Sequence, residues 1–144
     1  MRRYRYAEKC LYSYKENEQD LSHLKNQLQE LKQYGDVHGY RYDTFGNTCM
    51  KSDPVSSYVA QLEGIEHRLM RVRRRVYPVR RLIEDLKEND KRNEYHRLIL
   101  EGFYFERIPL TTLLAAWHWC RSVFFARRHD LVMRVIGHIL EYNH

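Results

Sequence analysis

PVSSYVAQLEGIEHRLMRVRRRVYPVRRLIEDL, residues 54–86, places apolar side chains at Val55, Tyr58, Leu62, Ile65, Leu69, Val72, Val76, Val79, Ile83 and Leu86, alternating steps of three and four without a miss. At 3.6 residues per turn this spacing draws one stripe along an α-helix, whereas a strand would need an apolar residue at every second position. Asp53 and Pro54 mark its start. A carboxylate there can accept from the free amides of a first turn, and proline suits the first helical position because it has no amide to leave unpaired. Pro78 lies inside the run and is expected to kink the helix or end it.

Toward the N-terminus, Tyr4, Ala7, Leu11, Tyr14, Leu21, Leu24, Leu28 and Leu31 form a second stripe, with Asn17 as a polar interruption and Gly35 as the expected stop. Two such helices joined by one loop should fold back as an antiparallel hairpin and close their seams on each other. The joining segment, residues 35–52, carries Gly35, Gly39 and Gly46 together with His38, Tyr40, Arg41, Tyr42 and Phe45. Its aromatic cluster is expected to tuck over the hairpin; the rival reading is a surface that stacks on bases or grips a partner.

Toward the C-terminus, Asn89 and Asp90 offer a cap, and Tyr95, Leu98, Ile99 and Phe103 predict a short amphipathic helix ending between Gly102 and Phe105. Pro109 opens the last section. Leu113, Leu114, Trp117 and Trp119 predict a short apolar helix, Trp119-Cys120 a turn, and Ser122 the cap of a long last helix. The fold class expected is all-α: an N-terminal antiparallel long-helix hairpin over residues 1–88, then a C-terminal helix-turn-helix bundle over residues 89–144. Only three prolines and six glycines occur in 144 residues, which favours long helices over a many-turned β architecture.

A formal net charge of +6 makes a polyanionic partner plausible without demonstrating one. Cys10, Cys49 and Cys120 are odd in number and widely spaced, so neither a disulfide framework nor a zinc site is expected, and a reducing cytoplasm fits them best. The start Met1-Arg2-Arg3-Tyr4 has no apolar signal core, and no apolar stretch approaches the ~20 residues of a membrane span, so no membrane partner is expected.

The segment with the clearest chemistry is the last one. Between Ile108 and Ile139 the only acid is Asp130, against Arg121, Arg127, Arg128 and Arg134. A helix opening with Arg121, Ser122, Val123, Phe125, Arg127 and Arg128, followed by His129, can neutralise phosphates and set donors, a methyl or a ring against base edges. Thr111 and Thr112 stand where hydroxyls and first-turn amides can meet a phosphate. Phe124 and Leu131, seven apart, are expected to face inward. The rival reading is a three-helix core with a basic surface and no ligand. A second basic run spans Arg68 to Arg81 without an acid; Arg68, Arg71, Arg74 and Arg75 are candidates for a second contact, set against a merely solvated flank.

The run from Thr111 to Arg128, TTLLAAWHWCRSVFFARR, resembles the C-terminal signature of phage late-gene transcriptional regulators of the RinA and ArpU type, whose helix-turn-helix is similar to promoter-reading region four of sigma factors. In that signature an Ile-Ala pair, a Leu and then Ser-Arg-Ser-Thr-Phe-Tyr would fall on Leu113, Leu114, Trp117 and the run Cys120 to Phe125. Leu114 where alanine is usual, and tryptophans around the turn, imply a wider or repacked helix pair. The resemblance implies double-stranded DNA as partner, host RNA polymerase as a second partner, and activation of late promoters in the bacterial cytoplasm.

Enzyme signatures are missing: the eight histidines are scattered singly, and there is no HExxH, no Gly-rich phosphate loop and no GxSxG. No catalytic residue, metal or cofactor is therefore expected. The hairpin is the expected surface for homo-oligomer assembly. Two rival functions remain, a packaging adaptor similar to a small terminase subunit and a protein-binding module acting on the transcription machinery.

Overall fold

A computed structural model describes residues 2–39 and 54–143, and among them every regular element is a helix. In order they are α1 (Arg2–Tyr12), α2 (Tyr14–Val37), α3 (Pro54–Asp85), α4 (Lys91–Leu98) running directly into a π-helical segment (Ile99–Phe105), α5 (Leu110–Trp117) and α6 (Arg121–Tyr142). The cap expected of Asp53 and the aromatic positions Tyr40, Arg41, Tyr42 and Phe45 lie outside the described residues.

The first expected stripe is realised as two helices meeting at Ser13. The Ser13 hydroxyl turns back onto the Lys9 carbonyl at 2.6 Å and accepts from Asn17 Nδ2 at 3.1 Å. The polar interruption is thereby satisfied within its own turns, and Asn17 is buried in line with Leu11, Tyr14, Leu21 and Leu24. Gly35 does not end its helix, which runs on to Val37 and closes at Gly39, whose φ is +73°. Gly35 is constrained by contact instead: a Cβ there would overlap the Tyr58 ring.

Pro78 does not end α3, which runs 32 residues from Pro54 to Asp85. The helix does change its buried face there. Before Pro78 the deeply buried positions are Tyr58, Leu62, Leu69 and Val76, largely a single line of sevens; after it Val79, Leu82 and Leu86 are buried, with Leu82 absent from the expected stripe. α3 also serves two cores, which divide after Arg73. One compact unit comprises residues 18–73, and the other joins residues 1–17 to residues 74–144. A boundary after residue 88 is thus not where the contacts divide: α1 belongs with the C-terminal helices, because the apolar face of α6 needs α1 to cover it.

In that second unit α6 buries Phe124, Leu131, Val132, Val135 and Ile136, packing against α1 and against α4. Each such side chain contributes on the order of 1.5–3 kcal/mol by leaving water. α4 begins as expected at Asp90, whose side chain accepts from the Asn93 amide at 2.8 Å. Its expected end near Phe105 also holds, but the last turns are π-helical, with the Glu106 amide donating to the Glu101 carbonyl at 2.9 Å. The wider turn sets Ile99, Leu100 and Tyr104 together in the core. Tyr104 stands edge-on to Tyr12 at 4.8 Å and donates from its hydroxyl to Glu8 Oε2 at 2.9 Å, while Phe105 stacks on Tyr14 at 5.5 Å.

Asn93 is the joint between three elements. Its Nδ2 donates to the carbonyls of Asp85 at 3.1 Å and Glu88 at 3.0 Å, closing the end of α3, and its Oδ1 accepts from Arg134 Nη1 at 2.8 Å on α6. Asn93→Ala would leave two carbonyls and an arginine N–H without their partner in the interior. It should lower stability by about 2–3 kcal/mol, read as a shift of the urea midpoint at unchanged slope.

Candidate nucleic-acid interface

α5 and α6 are two separate helices with a short connection, formed by local backbone chemistry. α5 starts after Pro109, whose carbonyl accepts from the Leu113 amide at 3.2 Å. It ends at His118, which adopts the left-handed conformation (φ 59°, ψ 39°) while the Trp119 amide reaches back to the Leu114 carbonyl at 3.1 Å. Non-glycine residues enter that conformation at a cost of about 1–2 kcal/mol, so the surroundings hold it there. The Trp117 and Trp119 rings, 4.9 Å apart, flank the turn.

The expected turn at Trp119-Cys120 is present, but Ser122 does not cap α6. Extended Cys120 (φ −85°, ψ 164°) takes that position without a side-chain cap bond, its carbonyl accepting from the Phe124 amide at 3.1 Å. Ser122 lies inside the first turn, with its Oγ 3.2 Å from Cys120 Sγ. That contact and nearby backbone amides pull the Cys120 thiol below its ordinary pKa.

α5 packs on the π-helical segment through Gly102. A Cβ on this glycine would come within 3.0 Å of Trp117 and 3.1 Å of Leu113, so the close approach depends on its absence. The bulk of Trp117 is accommodated by a glycine on the facing segment.

Of the residues expected to form the interface, Thr111, Thr112, Arg121 and Ser122 are exposed, and Val123 is half-buried. Phe124 faces the core, whereas Phe125 is 43% exposed. Among the described residues Arg121 makes no ion pair. Arg127 is half-buried in an aromatic clamp, its guanidinium carbon 3.5 Å from the Tyr95 ring centre and 4.4 Å from that of Trp119. Stacking occupies the faces of the guanidinium and leaves its in-plane N–H donors unspent. Arg128 lies 5.2 Å from the Phe125 ring centre with its Nε enclosed and lacking a partner. His129 is exposed and stacks on Tyr4 of α1 at 5.8 Å.

Arg134, counted in the sequence among the basic residues of this segment, turns inward. It donates from Nη1 to Asn93 Oδ1 at 2.8 Å, and the same nitrogen lies 2.9 Å from His96 Nδ1. Since the guanidinium can only donate, His96 Nδ1 is the acceptor and the ring carries its proton on Nε2, 3.2 Å from Asp130 Oδ2. Burial, reinforced by the cations of Arg134 and Arg92, lowers the His96 pKa from 6.5 to about 4 despite Asp130. Arg92 grips Asp130 with two hydrogen bonds of 2.8 Å each, which hold that carboxyl below the usual range. The single acid of the segment is thereby engaged by its own neighbours. Tyr95, Trp119 and Arg92 were not foreseen as part of this arrangement, because no local spacing links Tyr95 or Arg92 to α6.

The second basic run lies on α3, on both sides of the division between the two units. Arg68 and Arg71 belong to the unit of residues 18–73, while Arg74 and Arg75 belong to the other and bring positive charge close to Tyr6 and Cys10. All four are exposed. No protein family, curated protein or solved structure matches this chain.

The buried imidazole makes stability depend on pH. Unfolded His96 binds a proton at 6.5 and the folded ring only near 4, so unfolding takes up a proton between those values and stability falls as pH drops through that window. Urea midpoints at neutral pH and at about pH 5 should differ in the wild type and differ much less in His96→Gln. Equal pH slopes in the two proteins would remove His96 as the cause.

Proposed function

We propose that the chain is a sequence-specific DNA-binding transcriptional regulator, an activator of phage late-gene promoters working with host RNA polymerase in the bacterial cytoplasm. In this reading α5 and α6 are the two helices of a sigma-like helix-turn-helix, and α2 with the first half of α3 forms the antiparallel hairpin that mediates assembly or polymerase contact. The reading needs no cofactor or metal and no catalytic residue. It rests on the resemblance of Thr111 to Arg128 to the regulator signature and on one structural observation. The exposed start of α6 carries cationic and hydroxyl side chains with no free carboxylate among them, since Asp130 is already held by Arg92.

Such an end suits a phosphate backbone. Thr111 and Thr112 at the start of α5 offer hydroxyls and first-turn amides to phosphate. Arg121 and Ser122 reach first into the groove, and Arg127, steadied between Tyr95 and Trp119, presents its remaining donors at a lower entropic cost than a free arginine. Val123 and Phe125 supply apolar contact for a thymine methyl. Arg128 and His129 are anchored against Phe125 and Tyr4 and contribute charge at the flank. Arg68, Arg71, Arg74 and Arg75 add sequence-independent attraction.

A second reading is favoured by Phe125 and Met133, 43% and 47% exposed on α6, where apolar side chains would suit a protein of the transcription machinery. A packaging adaptor remains the third.

Gel-shift titration on the DNA adjoining the gene should give binding that weakens steeply with salt. Arg121→Ala and Arg127→Ala should each weaken it about tenfold or more, and Arg73→Ala by much less. If both substitutions leave the titration unchanged, α6 is not the reading helix. Light scattering that finds a large ring would support the packaging adaptor, and a monomer or dimer the regulator.

A further inference from the structure

A cavity of about 400 Å³ lies where the start of α1, Arg74 of α3 and the end of α6 meet, all within one compact unit. It is lined by Arg2, Arg3 and Arg74 together with Tyr6, Leu140 and Tyr142. Among the described residues none of the three arginines takes part in an ion pair. Three guanidiniums around one small space repel each other and attract an anion. α1 adds to this, because the unpaired amides of its first turn carry the positive end of the helix dipole.

The same lining also offers apolar and aromatic surface. Leu140 and Tyr142 are each 37% exposed, and both line this cavity. Tyr142 is braced by Tyr77, 4.9 Å away, so its ring is held in position. The volume falls within the ~300–1,000 Å³ typical of small-molecule sites. Guanidinium groups pair with phosphate through two parallel N–H donors, and a planar base can lie on tyrosine or arginine.

We propose that this cavity binds a nucleotide, with its phosphates on Arg2, Arg3 and Arg74 and its base against Tyr6, Leu140 and Tyr142. The site lies at the opposite end of α6 from Arg121; it shares Arg74 with the second basic contact of the proposed DNA reading and is otherwise separate from it.

Isothermal titration of the full chain with ATP, with inorganic pyrophosphate and with an unrelated DNA duplex tests this. ATP should bind, and Arg74→Ala and the Arg2→Ala/Arg3→Ala double variant should each weaken it about tenfold or more with unchanged circular dichroism. Tyr142→Ala should weaken ATP while leaving pyrophosphate unaffected. Three results would overturn the assignment: no heat with ATP at millimolar concentration, ATP affinity indifferent to all these variants, or ATP displaced stoichiometrically by the duplex, which would make the arginines part of a DNA backbone contact.

Discussion

Burying Phe124, Leu131, Val132, Val135 and Ile136 on one helix requires α6 to be covered from more than one side, by α1 and by α4. No two-helix arrangement hides so broad a face, which is why the first helix of the chain joins the last. Once α1 lies there, the other placements follow. Tyr12 and Tyr14 meet Tyr104 and Phe105, Glu8 accepts from the Tyr104 hydroxyl, and Arg107 donates to the Tyr12 carbonyl at 3.1 Å. The Tyr104 phenol is held far above its ordinary pKa, mainly by burial, so it serves as a fixed donor.

The free end of α6 is shaped from behind. The π-helical turns and Gly102 let α5 approach closely through Leu113 and Trp117, and left-handed His118 then releases the chain into an extended Cys120. Arg107, also left-handed at φ 55°, makes the corresponding break after the π-helical segment. Two such residues within one short stretch indicate that packing, not intrinsic backbone preference, sets the path of α5.

Charge is divided between interior and surface by the same packing. Arg134 and Arg92 are committed to Asn93, His96 and Asp130, in a network that works only with a neutral imidazole. Arg127 is stacked on rings, and Arg121 has no ion pair among the described residues. Four arginines that look alike along the chain thus divide into structural, oriented and available, and only the latter two classes can serve the proposed DNA contact.

The 3.6-residue period, Asp90, the glycine and proline scarcity and the Trp119-Cys120 turn were enough to establish an all-helical chain and to locate most of its helices, because those features act within one or two turns. Phe124 as a core residue was readable for the same reason. The sequence could not show that α1 leaves α2 to cover α6, that α3 passes from one core to another after Arg73, or that Tyr95 clamps Arg127. Each of these depends on residues far apart in the chain competing for the same apolar surface. Periodicity reports that a face must be buried; only the assembled helices decide what buries it.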